Sequence, residues 1–129
     1  MSDRDSHTPM TSRRAEERHE VRWAVDCASE DTFLYAYITN VSSLGLFVYT
    51  ERPLAVGTRV KLSFAPLGAR AFELVGEVAW INPQKPGGEN PNPGMGIRFL
   101  DLCLEDRERL VEAIRTIAYV RGEDRPPIN

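Results

Sequence analysis

A two-residue hydrophobic beat, restarted six times, is the feature that most limits the folds open to this chain. Val21, Trp23, Val25 and Cys27 alternate with Arg22, Ala24 and Asp26. Phe33–Val41 carries Phe33, Tyr35 and Tyr37 on one side and Leu34, Ala36 and Ile38 on the other. Leu46–Thr50 is the third such run, and Val60, Leu62 and Phe64 set against Arg59, Lys61 and Ser63 form the fourth. Phe72, Leu74, Gly76, Val78 and Trp80 share one face of a longer fifth run, and Met95, Ile97 and Phe99 mark the sixth. Successive side chains leave a strand on opposite faces, so each run reads as a strand. No helical stretch lies between them to supply the crossovers of a parallel sheet. The period changes only at Leu104–Arg121, where Leu110, Val111, Ile114, Ile117 and Ala118 recur at three and four. That spacing predicts a helix. Glu105 and Asp106 near its start suit the helix dipole, and Gly122 and Pro126 follow its end.

The expected fold is therefore mainly β, a six-stranded antiparallel β-barrel with a C-terminal α-helix. Closure removes the free edges that six short strands would otherwise expose. Trp23 and Trp80 are expected in the core. Phe33, Tyr35 and Tyr37 are expected to pack under the helix, because both faces of their strand are apolar. Gly76, in mid-strand, predicts a bend or bulge. Asn82–Gly94 holds four prolines and three glycines and predicts a mobile hairpin loop.

A chain of 129 residues is one domain with a single core. Residues 1–11 are polar and read as a disordered tail, 12–121 as the folded domain, and 122–129 as a C-terminal tail. The formal charge of −3 argues against general nucleic-acid binding, which draws its affinity from neutralised phosphates. A small anionic ligand would feel a local cluster instead. No apolar run approaches the ~20 residues of a membrane span. Met1–Arg18 lacks the apolar segment of a signal peptide, so a cytoplasmic location is expected. Cys27 shares the phase of Val21, Trp23 and Val25 and reads as a buried, reduced thiol, not half of a disulfide with Cys103. Enzymatic activity is not expected. Ser42 has no GxSxG surroundings, His7 and His19 are the only histidines, and no spacing suggests a metal site.

Two polar clusters stand out. Ser12–Arg22 sets Arg13, Arg14, Arg18 and Arg22 against Glu16, Glu17 and Glu20. Arg14/Arg18, Glu16/Glu20 and Arg18/Arg22 would place like charges together at helical spacing four. An arm shaped by its target is the better reading. The second cluster is Thr39–Val48, with Asn40, Ser42 and Gly45 between two strands. Asn and Ser bond to nearby backbone and favour turns. Gly45 can take a positive φ or let another molecule approach the backbone.

The order RRxxxR, strand, NxSxxG turn, Gly94-Met95-Gly96-Ile97-Arg98-Phe99, helix resembles a PilZ domain, the bacterial receptor for cyclic di-GMP. The resemblance covers roughly Ser12–Tyr119. Asn40–Val48, Pro53–Thr58 and Gly94–Leu102 are also similar to PilZ proteins abundant in myxobacteria. Leu44, where many relatives have glycine, and His19, where an apolar residue is common, depart from the pattern. The resemblance implies a six-stranded barrel and a cyclic di-GMP site formed by Arg14 and Arg18, with Arg13 preceding them, and by Asn40, Ser42 and Gly45. The chemistry is apt: guanidiniums bind phosphate and the guanine O6/N7 edge bidentately and stack on bases. It further implies a receptor that acts in trans on an unidentified protein partner as its arginine arm orders over the ligand, with no cofactor. Some PilZ proteins are instead adaptors in motility or polarity control that bind no ligand. Glu16 and Glu17, able to pair with the arginines, keep that alternative open. A third reading, single-stranded RNA stacked on Phe33, Tyr35 and Tyr37, runs against the acidic total.

Overall fold

The computed structural model describes residues 18–66 and 69–121, the last four of these by backbone alone. Both expected tails, and most of the arginine arm with Arg13 and Arg14, lie outside the described residues. Among the described residues six strands and one helix follow in order: β1 (His19–Ala28), β2 (Phe33–Val41), β3 (Gly45–Tyr49), β4 (Arg59–Phe64), β5 (Phe72–Asn82), β6 (Gly94–Leu100) and α1 (Leu104–Arg121). The strands close into an antiparallel barrel in the order β1-β2-β3-β6-β5-β4. No helix among the described residues is long and apolar enough to cross a membrane.

Alternation decides the interior. Val25 and Cys27 from β1, Ile38 from β2, Leu46 and Val48 from β3, Val60 and Leu62 from β4 and Met95 from β6 point inward and are fully buried. Trp23, Phe64 and Phe72 form a stack with centroids 5.8 and 5.1 Å apart. Burial pushes the Cys27 thiol up to about 11, as expected of a group whose charged form has lost its water. Helix α1 adds Leu110 and Ile117 to this core. Its first turn is fastened by the Asp106 N–H donating to Cys103 Sγ at 3.4 Å. Asp101, at φ 50, turns the chain from β6 into it. Asp tolerates this left-handed conformation better than most residues.

Three irregularities interrupt the ladders. β1 carries an extra residue between Glu20 and Trp23, β2 between Ile38 and Asn40, and β5 between Val78 and Trp80. His19, Val21 and Trp23 keep one phase along β1, whereas the irregularities in β2 and β5 reverse the in–out alternation beyond them. This corrects the placement of Trp80. Val78 points into the core, the extra residue Ala79 resets the phase, and Trp80 faces out, 48% exposed. The bulge in β5 is therefore not at Gly76, which stays in regular register with Val60 and Phe99. Gly76 is small because a Cβ there would sit 2.5 Å from Ile97 Cγ2.

One further expectation is revised and another is given its detail. Phe33, Tyr35 and Tyr37 do not pack under α1; they stand on the outer face of β2, Tyr35 being 79% exposed. The helix instead lies across the end of the barrel beside Trp23 and Phe72, where Arg109 rests 4.0 Å above the Phe72 ring. Asn82–Gly94 is a hairpin loop but a stitched one. Gln84 accepts from the N–H groups of Lys85 and Asn90, and Asn82 Nδ2 donates to the Asn92 carbonyl at 2.7 Å.

Candidate functional site

The β2–β3 connection is built by its serine. Ser42 N–H donates to the Gly45 carbonyl at 2.8 Å. Ser42 Oγ accepts from the N–H groups of Leu44 and Gly45 at 3.1 and 3.3 Å and donates back to the Gly45 carbonyl at 3.4 Å. A hydroxyl has one donor and two acceptor sites, so these three bonds saturate it. At 1% exposure, Ser42 shapes the turn from within.

Gly45 is explained by its neighbour across the ladder. It pairs with Arg98 of β6, and a Cβ added to it would collide with the Ile97 carbonyl oxygen. Its φ is not positive. The Leu44 carbonyl then accepts from the Phe99 N–H at 3.0 Å, which extends the β3–β6 pairing into the turn.

Next to this turn the two clusters meet. Arg18, one residue before β1, donates from Nη1 to Asn40 Oδ1 at 2.8 Å. Asn40 lies between Glu20 and Phe47 in the ladders, where the β1 and β2 irregularities fall together. Of the six residues singled out in the sequence, Arg18, Asn40, Ser42 and Gly45 are thus gathered at one corner.

The structure adds residues that the alternation concealed. Gly94 and Gly96 lie on the outer face of β6, and both are covered by aromatic rings. A Cβ on Gly94 would come within 2.6 Å of Phe47 Cζ, and one on Gly96 would overlap the Trp80 indole. Phe47 and Trp80 pack at 5.4 Å with their planes 30° apart. Phe47 is only 2% exposed yet stands outside the barrel core, as the inner half of a small outer stack that Trp80 finishes. Beside it, Arg98 Nη2 donates to Glu77 Oε1 at 2.5 Å. Arg18, Gly45, Trp80, Gly96 and Arg98 together line an open cleft of about 330 Å³. Two guanidiniums, an indole face and strand backbone are thus set around one hollow, an arrangement suited to a flat anionic ligand. Among the described residues there is no cluster able to hold a metal ion. The signal that could have found Trp80 was the pair Gly94 and Gly96, two apart on one strand face, which leaves room for a ring from the next strand.

The family model of the PilZ domain matches residues 12–116. The chain belongs to the PilZ domain family. Solved structures agree in fold. The PilZ domain of Escherichia coli YcgR with c-di-GMP is 16% identical at a TM-score of 0.67, covering 83% of this chain and 92% of that one. Longer YcgR from the same organism in complex with c-di-GMP is 15% identical, TM-score 0.69, covering 83% of this chain and 46% of that one. The Bacillus subtilis inhibitor of motility MotI/DgrA is 17% identical, TM-score 0.64, covering 84% and 51%. The PilZ domain thus spans about half the length of these last two chains. At such identities the likenesses speak for the fold. A search of the curated proteins returned no match.

Proposed function

We propose that this PilZ domain is a receptor for cyclic di-GMP and takes it at the corner where Arg18 meets Asn40. The observation that carries the reading is the 2.8 Å bond between those two residues. It joins the arginine arm to the polar turn beside a cleft that also offers Trp80 and Arg98. Arg18 and Arg98 supply bidentate donors for phosphate or for the guanine O6/N7 edge. The exposed face of Trp80 supplies a stacking surface. Asn40 orients Arg18, and Ser42 and Gly45 hold the turn and let β6 come close. Arg14 lies four residues upstream of Arg18, within about 14 Å along an extended chain. Arg13 and Arg14 would therefore close over a ligand already seated on Arg18, and the arm so ordered is the surface a protein partner reads. YcgR, whose PilZ domain was solved with c-di-GMP, supports the reading by analogy.

Isothermal titration calorimetry with purified protein and cyclic di-GMP tests it. Saturable heat is expected, and Arg14→Ala or Arg18→Ala should weaken binding by about ten- to a hundredfold, the value of a charge-assisted hydrogen bond or two. No saturation at tens of micromolar ligand would reject the receptor reading. The adaptor reading has the domain work through protein contacts without the ligand; the likeness to MotI, named as an inhibitor of motility, supports only the motility setting. The adaptor reading predicts partner binding that neither cyclic di-GMP nor Arg18→Ala alters.

A further inference from the structure

A second concavity lies between α1 and the residues Pro66 and Ala69 that follow β4. It measures about 480 Å³ and is floored by Trp23, Phe72, Ala113 and Ile117. One edge is acidic over its first two turns: Glu105, Glu108 and Glu112 follow each other at helical spacing on the flank of α1. From Glu105 to Ile117 that flank runs about 18 Å at the rise of an α-helix.

The charge on this edge is open to a partner. Among the described residues Arg109 is the one cation lining the groove, and it is already engaged. Its guanidinium rests on Phe72, meets Asp106 Oδ1 at 3.5 Å and donates to the Arg70 carbonyl at 2.5 Å. Glu105 pairs with Arg70 at 3.5 Å and Glu112 with Arg115 at 3.3 Å, both at exposed positions where an ion pair is worth little and exchanges readily. Glu108 has no ion pair or hydrogen bond among the described residues.

We propose that this groove docks a basic amphipathic segment of a partner protein, about three helical turns long. Its apolar side chain sits on Trp23 and Ile117, and its Lys or Arg side chains lie along Glu105, Glu108 and Glu112. An apolar floor beside three exposed glutamates selects for that combination: the floor supplies the buried anchor and the glutamates set register and disfavour acidic competitors. The proposal does not rest on the cyclic di-GMP reading, because none of these residues lines the cleft at Arg18.

The test uses the full chain and a fluorescein-labelled three-turn peptide with Leu at helical spacing and Lys elsewhere, read by fluorescence anisotropy. Saturable binding is expected. Combined Glu105→Gln, Glu108→Gln and Glu112→Gln should weaken it about tenfold and flatten its salt dependence. A peptide with Leu replaced by Ala should bind at least about tenfold more weakly, since its anchor is gone. Ala113→Arg should abolish binding, and Arg18→Ala should leave it unchanged. The glutamates are exposed, so the Gln variants read the rim without touching the core, whatever Ala113→Arg does to folding. Absence of saturation, equal affinity for the triple Gln variant, or equal binding of a peptide with Glu in place of Lys would overturn the proposal. So would a dimer in sedimentation that the triple Gln variant breaks, which would make a second copy the occupant.

Discussion

The barrel interior and the outer corner at β3, β6 and β5 are both aromatic, apolar and closely packed, yet they are made by opposite means. Inside, alternation delivers most of the side chains, and all six strands contribute. At the corner, regularity fails: Ala79 resets the phase of β5, an extra residue in β2 precedes Asn40, and glycines replace side chains so that Phe47 and Trp80 can lie flat on β6. The interior depends on large side chains being present, the corner on Cβ atoms being absent. The proposed binding groups gather at the corner because broken pairing is what turns a side chain such as Trp80 outward.

Four experiments probe that contrast. The largest effect is expected from Leu62→Ala, which empties a fully buried interior site and should cost about 2–5 kcal/mol in urea unfolding. It should leave the dissociation constant for cyclic di-GMP in place; a tenfold loss of affinity would show that interior and corner are one unit. Gly45→Ala adds a single methyl group against the Ile97 carbonyl and should destabilise by about 1–3 kcal/mol through overpacking. If it unfolds at the wild-type midpoint, the corner is looser than its contacts indicate.

The third concerns the buried thiol. The Cys27 pKa is raised from 9.0 to about 11 in the folded chain. Between those values the folded state keeps a proton that the unfolded state has released, so stability is complete below pH 9 and falls as pH rises toward 11. The shift corresponds to a loss on the order of 2 kcal/mol. Cys27→Ala should remove that part of the slope, and identical alkaline slopes in the two proteins would rule out the burial effect. The smallest change in stability, about 1 kcal/mol, is expected from Trp80→Ala, because half of the ring is already in water. Its effect on ligand should be larger, near tenfold, if a base stacks on the indole. Unchanged affinity would reduce Trp80 to a cover for Gly96.

The fold was legible because period-two runs and one period change need only local reading. Strand limits fell within a few residues, and Leu104–Arg121 was delimited as observed. What the alternation could not convey was its own interruption. Trp80 continues the phase of Phe72, Leu74 and Val78 in the sequence, and only the ladder reveals that Ala79 breaks it. The tyrosine face of β2 was misassigned for a related reason: both faces of that strand are apolar, and the pattern alone does not say which one a distant helix covers. In the loop, the prolines and glycines drew attention away from Asn82, Gln84, Asn90 and Asn92, whose amides tie it together. At the site, the approach of Arg18 to Asn40 was anticipated from the family pattern, since twenty-two positions of separation carry no local signal. Arg98 and Trp80 belong to strands that the two short motifs do not include.

The glycines of the corner carry one more lesson. Gly45, Gly94 and Gly96 are each crowded by atoms of this chain itself: a carbonyl of β6, the Val48 carbonyl with the Phe47 ring, and the Trp80 indole. A relative that bound no nucleotide would still meet all three packing demands. Their presence in a related sequence therefore certifies the architecture and leaves the allegiance to a nucleotide undecided, a question that falls to the arginines.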